Sequence, residues 1–269
     1  MCKYAGVSRS GYYKWIDRKI SESDLENNKI LNEILNIHNE VKGIYGYRRM
    51  AMNINIRMDK RYNLKRIYRL MNENNIKSVI RRKKRNYKYH KAQIIAENIL
   101  SRDFSSEKLN EKWLTDVTEF KISTGEKLYL SPILDLCSKR IVSYTYGKSN
   151  NNELVFDMLD KAIASNPEAT PLVHSDRGYQ YTSKSFKNKL DAFNAIQSMS
   201  RPGKCIDNGP IEGFFGILKS EMFYINNYDD LENLKSDIDK YINFYNNKRY
   251  QKNLKNLSPN QYREQILNR

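Results

Sequence analysis

The chain has 269 residues, 39% of them hydrophobic, and a formal net charge of +16. That length is enough for one sizeable core plus a smaller domain, and that charge suits a polyanionic partner, nucleic acid or an acidic membrane surface. Three dispersed cysteines (Cys2, Cys137, Cys205) and three histidines (His38, His90, His174), with no CxxC pair, argue against a disulfide framework and a zinc centre.

The charge is uneven. Residues 1–100 hold 23 Lys and Arg against 9 Asp and Glu, whereas residues 101–269 hold 24 against 22. The polyanion contact is therefore expected in the first third. No run of about 18 apolar residues occurs and no leader opens the chain, so a cytoplasmic, soluble protein with no membrane partner is expected.

The opening AGVSRSGYYKW reads as the turn and second helix of a helix-turn-helix, with Ser8 as N-cap and Tyr12, Tyr13 and Trp15 on its packed side. Residues 1–20 are taken as this partial segment. Residues 24–41 place Leu25, Ile30, Ile34, Leu35, Ile37 and Val41 at helical spacing, and GYRRMAMNI gives a second helix opening on Arg48 and Arg49. The stretch YNLKRIYRLMNENNI gives a third. Asn63 caps it, Leu64, Ile67 and Met71 point inward, and Lys65, Arg66 and Arg69 point outward. Three helices with a basic, capped third member predict a small all-α, helix-turn-helix-like domain over 21–85 that lays this helix in a DNA major groove. The basic run Arg81, Arg82, Lys83, Lys84 and Arg85 follows at once and would add phosphate contacts. A solvated basic face is the competing reading for any one of these helices.

Residues 86–110 are polar without periodicity and read as a linker. Three strand-like runs follow, Trp113–Phe120, Lys127–Asp135 and Arg140–Gly147, then a helix over 152–165 and a strand in LVHS. A helix near 183–191, a strand in AIQSM and a helix in IDNGPIEGFFGILKSE complete the series. Strands followed by alternating helix and strand predict an α/β fold over 111–228, a mixed sheet flanked by helices, with a helical tail over 229–269. In the last helix Ile211, Phe214, Phe215, Leu218 and Met222 form one buried stripe. Glu212, Gly216 and Lys219 lie on the other side, seven residues end to end.

Three acids stand where surface acids are not expected. Asp116 falls inside the first strand run, Asp176 directly follows LVHS, and Glu212 is the lone acid on the outer face of the last helix. Taken singly, each is better read as a surface or salt-bridged acid. If the first and fourth strands are neighbours and the last helix crosses their ends, the three converge, and clustered carboxylates persist mainly by holding divalent cations. Oxygen donors without a His or Cys cluster favour Mg2+ over Zn2+. Two such ions roughly 4 Å apart would clamp the attacking and leaving oxygens of a phosphodiester.

Asp176 and Glu212 have 35 residues between them, and with Asp116 upstream this spacing resembles the D,D-35-E triad of retroviral integrases and insertion-sequence transposases. The surrounding segments WLTDVTEF, LDLCSKRIVSY, VHSDRGYQYTS, SMSRPGKCIDNGPIEGFFGILKSE and YNNKRYQKNLKNLSPNQYRE, with AGVSRSGYYKW and GIYGYRRM upstream, are similar to the second-reading-frame transposases of the insertion-sequence-three type. The resemblance implies a ribonuclease-H-like catalytic core in which Asp116, Asp176 and Glu212 are catalytic metal ligands for two Mg2+, with Mn2+ as a substitute. It also implies that Lys219 contacts substrate DNA, and that His174, Arg177, Gln180 and Asn208 shape the site. The implied activity is cleavage at the element's ends followed by attack of the exposed 3′-OH on a second phosphodiester. Implied partners are double-stranded DNA (transposon ends and target), further copies of the chain on DNA, and an upstream-frame product or fusion. Association with the bacterial nucleoid would follow from DNA binding. Two other readings are a non-catalytic DNA-binding regulator built on a relic core and a ribonuclease H-type hydrolase, and metal-dependent nicking or strand transfer separates the first from an enzyme.

Overall fold

The computed structural model describes residues 4, 6–16, 21–80, 96–201 and 205–268. The chain divides into two compact units, Met1–Val79 and Ile80–Arg269. The basic run Arg81–Arg85, expected to touch phosphate, lies outside the described residues.

The first unit is all helical: α1 (Arg9–Ile16), α2 (Glu22–Glu40), α3 (Tyr47–Arg57) and α4 (Leu64–Glu73). Ser21 caps α2 and Asn63 caps α4, each side chain accepting a backbone N–H of the first turn. Ile30, Ile34 and Ile37 of α2, Met50 and Ile54 of α3 and Ile67, Leu70 and Met71 of α4 are buried. Three expected core positions are instead exposed: Leu25 and Leu35 of α2 and Leu64 of α4. Leu25 and Leu64 lie in their helices' first turns. Leu35 is flanked by the buried Ile34 and Ile37, and 3.6-residue geometry turns it off their stripe. Tyr12 and Tyr13 of α1 are also exposed, so the expected packed side of this helix is solvated at both.

The second unit contains β1 (Lys112–Thr115), β2 (Thr118–Lys121), β3 (Lys127–Asp135), β4 (Ile141–Gly147), α5 (Asn152–Ser165), β5 (Leu172–Ser175), α6 (Lys184–Ala192) and β6 (Ile196–Met199), then α7 (Gly209–Glu221), α8 (Leu231–Asn247) and α9 (Pro259–Leu267). The long β3 pairs antiparallel with β4 on one side and with β1 and β2 on the other. Beyond β1 the sheet continues with parallel β5 and β6. Side chains alternate across it. Leu114, Phe120, Leu128, Leu130 and Leu134 meet α7 and α8 in one apolar cluster, while Trp113, Ile133, Val142 and Val173 meet α5 and α6 in another. Leu231, Leu234, Ile238, Tyr241, Ile242 and Tyr245 of α8 belong to the first cluster.

The expected single strand Trp113–Phe120 is broken at Asp116–Val117. One register runs through the gap, from Thr115 opposite Ile133 to Thr118 opposite Leu130, which puts Asp116 opposite Pro132. Leu136 donates its N–H to Lys112 O, so even-numbered residues of β3 face this line. Pro132 has no N–H to give, and the ladder opens there. Asp116 is thus at a strand end rather than mid-strand.

Candidate active site

Continuing the parallel register of β1 and β5, in which Leu114 stands beside His174, places Asp116 beside Asp176 at the carboxyl ends of neighbouring strands. Such ends are where open α/β sheets gather ligands. Alternation puts both on the face of Leu114, the face that α7 covers. Each is half-buried and locally held: Asp116 Oδ1 accepts the Val117 N–H at 2.7 Å, and Asp176 Oδ1 accepts the Gly178 N–H at 2.9 Å. Gly178 sits close against two polar side chains. An added Cβ would lie 2.9 Å from Gln180 Oε1 and 3.1 Å from Asp176 Oδ1.

The third acid, Glu212, is in the first turn of α7. The helix starts at Gly209–Pro210, where proline's missing N–H costs nothing. Ile211, Phe214, Phe215 and Leu218 anchor it in the core, as their spacing predicts. Burial is the main cause holding the Asp116 carboxyl well above the usual range, and the charges of Asp176 and then Glu212 add to it. The Val117 N–H and the Lys219 ammonium oppose the shift. Asp176 is raised by burial, against the Gly178 N–H. The structure therefore brings Asp116 beside Asp176 and puts Glu212 within the field of Asp116. Among the described residues, no three acidic, His or Cys side chains stand close enough to hold one metal ion. Repulsion among like charges opposes such closure, and a cation would reverse its sign. The donor set is all oxygen, which fits Mg2+ or Mn2+.

Lys219 lies two turns beyond Glu212. Its Nζ donates to Glu119 O at 2.8 Å and sits 5.2 Å from the Phe120 ring centroid. His174 is fully buried, with Nδ1 2.9 Å from Ser198 Oγ and Nε2 3.0 Å from Ser200 Oγ. Burial lowers its pKa to about 4, so the ring is neutral and bonded on both sides. That suits a structural histidine rather than a base. Arg177 Nε donates to Ser200 O, and Gln180 Nε2 donates to Asn150.

Asn208, one turn ahead of Glu212, is 2% exposed and donates Nδ2 to Thr115 O at 3.1 Å. It occupies the N-cap position without making a cap bond, and its Oδ1 has no partner among the described residues. A buried amide oxygen left unpaired costs about 1–3 kcal/mol.

Two groups escaped sequence reasoning. Tyr181, 1% exposed, brings its OH 3.2 Å from Thr115 Oγ1. Burial raises its pKa, and the charges of Asp116 and Asp176 add to that. It lies in the quoted RGYQY but carries no periodic signal. Asp207, fully buried, accepts from Arg201, Arg102 and Asn98, and Arg201 chiefly holds its carboxyl below the usual range. Two of its three partners come from the stretch read as linker, where no motif marks them.

In the helical unit, Lys65 is exposed, and so is Arg69, whose Nε is 3.8 Å from Glu73. Arg48 Nε donates to the Tyr47 OH, and Arg49 stacks over Tyr45. Arg66 does not point freely outward. It is bonded to Glu26, Asn27 and Ser23 O of the α2 region.

The integrase core domain family matches residues 106–205, a second integrase core family matches 212–267, and an HTH-like domain family matches 25–84. A protein named as the InsK transposase for insertion sequence element IS150 of Escherichia coli K12 is 39% identical over 268 residues, covering 98% of this chain and 93% of that protein. A transposase-like protein of Haemophilus influenzae is 41% identical over 219 residues, 81% of this chain and 100% of that one. Among solved structures, the magnesium complex of the HTLV-2 integrase catalytic core in its trimeric form has a TM-score of 0.46 at 20% identity, covering 57% of this chain and 95% of that one.

Proposed function

The chain belongs to the insertion-sequence transposase family with a helix-turn-helix-like region and an integrase core, and on that premise we propose that Asp116, Asp176 and Glu212 are its catalytic carboxylates. As a transposase it acts on DNA, cleaving and joining strands in a metal-dependent reaction. The observation that carries the residue assignment is the register of β1 and β5. Continued past Leu114 and His174, it brings two half-buried aspartates side by side at the carboxyl ends of neighbouring strands, with Glu212 on the helix that covers that face.

These three acids would hold two Mg2+ (or Mn2+) ions. Bound there, divalent ions supply Lewis-acid stabilisation to the oxygens of a phosphodiester displacement. The protein's own part is placement. The Val117 and Gly178 amides orient the two aspartates, the apolar stripe of α7 fixes the axis on which Glu212 rides, and Lys219 offers an ammonium two turns along the same helix. Gly213, around which an added Cβ would meet nothing within 4 Å, leaves that flank open to a DNA backbone. Lys65, Arg69, Arg48 and Arg49 are assigned to phosphate contact in a 21–85 domain, joined through 86–110 to a core over 111–228 and a tail over 229–269. Synapsis of two element ends calls for more than one copy of the chain on DNA.

Asp116→Asn, Asp176→Asn and Glu212→Gln are each expected to reduce cleavage of an end-bearing duplex and strand transfer by about 10²–10³-fold, the scale of losing one preorganised transition-state contact, with far-ultraviolet circular dichroism and bulk DNA binding retained. Cleavage at the wild-type rate by any one variant removes that residue from the site. Metal-independent nicking by the wild-type chain removes the metal assignment.

A further inference from the structure

The least explained polar atom at the site is Asn208 Oδ1. Asparagine at an N-cap ordinarily accepts an N–H of the helix's first turn, yet Asn208 makes no such bond. Pro210, at one of the first two helical positions, cannot supply that N–H. The side chain instead reaches across to β1, where Nδ2 donates to the carbonyl of Thr115, the residue immediately before Asp116. The amide thus bridges the strand end that carries Asp116 and the helix turn that carries Glu212. It is 2% exposed, and its oxygen meets no donor among the described residues. Thr115, whose carbonyl it holds, is also approached by the Tyr181 hydroxyl, so the strand end is fixed from both sides.

A side chain that buries a bare acceptor, beside carboxylates that are themselves short of positive charge, is built to meet a donor that arrives with the ligand. We infer that Asn208 is a positioning residue for the divalent cation: Nδ2 holds the end of β1 at the start of α7, and Oδ1 accepts a hydrogen bond from a water of the cation's hydration shell. This rests on the carboxylate reading above and adds to it a neutral member that acts through water. Outer partners of this kind are typically worth 10- to 100-fold in metal affinity.

The test is Mn2+ binding by the full-length chain without DNA, followed by electron paramagnetic resonance of free Mn2+, together with thermal unfolding with and without the ion. Asn208→Ala is expected to weaken Mn2+ binding about tenfold or more, and to lose most of the rise in unfolding temperature that Mn2+ gives the wild type. Asn208→Asp keeps acceptor oxygens but loses the Nδ2 donor that holds Thr115 O, and is expected to bind Mn2+ more tightly than Asn208→Ala while unfolding at lower temperature than the wild type in metal-free neutral buffer. If Asn208→Ala binds Mn2+ like the wild type while Asp116→Asn and Asp176→Asn do not, the role of Asn208 falls and the carboxylate assignment stands. Undiminished binding by the two aspartate variants overturns the carboxylate assignment itself. Should Asn208→Ala fail to fold, Asn208→Leu, which fills the same space with neither donor nor acceptor, takes its place, and Mn2+ binding by it like the wild type overturns the inference.

Discussion

Asp116 shows how one residue's cost can mark its use. Its carboxyl is raised by burial first, then by Asp176 and Glu212, so ionising it costs the metal-free fold. A folded-state pKa above the unfolded one gives stability that is complete below the ordinary carboxylate range and is lost as pH rises through the raised value. Asp116→Asn removes that loss. In metal-free buffer the variant is expected to unfold at higher temperature than the wild type at pH 7, with the difference shrinking as pH falls toward 4. Added Mg2+ should raise the wild-type midpoint and leave the variant unmoved. A variant less stable than the wild type at pH 7 would show that the acid is held by a partner rather than strained. The sequence made Asp116 conspicuous as an acid in an apolar strand run. It did not show that Pro132 stands opposite, opening the ladder at that point.

At the scale of the element, α7 combines a heavy anchor with an unusual outer face. Ile211, Phe214, Phe215 and Leu218 are buried, and this stripe was legible because helical geometry repeats every 3.6 residues. Gly213 serves no packing need, since an added Cβ would meet nothing within 4 Å. Gly213→Ala should therefore stabilise the protein by about 0.4–1 kcal/mol, seen as a rise of about 1–4 °C in the unfolding midpoint. If the bare flank receives DNA, the same variant should be slower in strand transfer. More stability with unchanged transfer would assign Gly213 no role in DNA approach. In α4, periodicity placed Lys65, Arg66 and Arg69 on one outward face, but Arg66 bends back to Glu26 and Asn27. Only a neighbouring helix could reveal that difference.

For the whole molecule the separation of charge is the governing fact: the first hundred residues carry nearly all of the excess. DNA affinity should accordingly fall steeply with salt. Lys65→Ala and Arg69→Ala are each expected to lower the slope of log affinity against log salt by about 0.9, one released phosphate contact apiece. Arg66→Ala should leave the slope near that of the wild type and instead destabilise the helical unit, because its guanidinium is engaged within it. Equal slope changes for all three variants would mean that Arg66 leaves Glu26 to bind DNA. Among the described residues no helix is long and apolar enough to cross a membrane; DNA is the polyanion that the family indicates.

Element order, the two-part division of charge, the apolar stripes and the three suspect acids could all be read from the chain, because each is a local or periodic property of consecutive residues. The structure alone decided which strands are neighbours, and with that the pairing of Asp116 with Asp176. It also decided that Leu25, Leu35 and Leu64 face solvent, that Arg66 is spent within its own unit, and that Asn208 spans from helix to strand with an oxygen to spare. Each of these depends on a partner distant in sequence, and the free energy of burial or of a hydrogen bond is settled by what lies opposite a side chain, which no local pattern records.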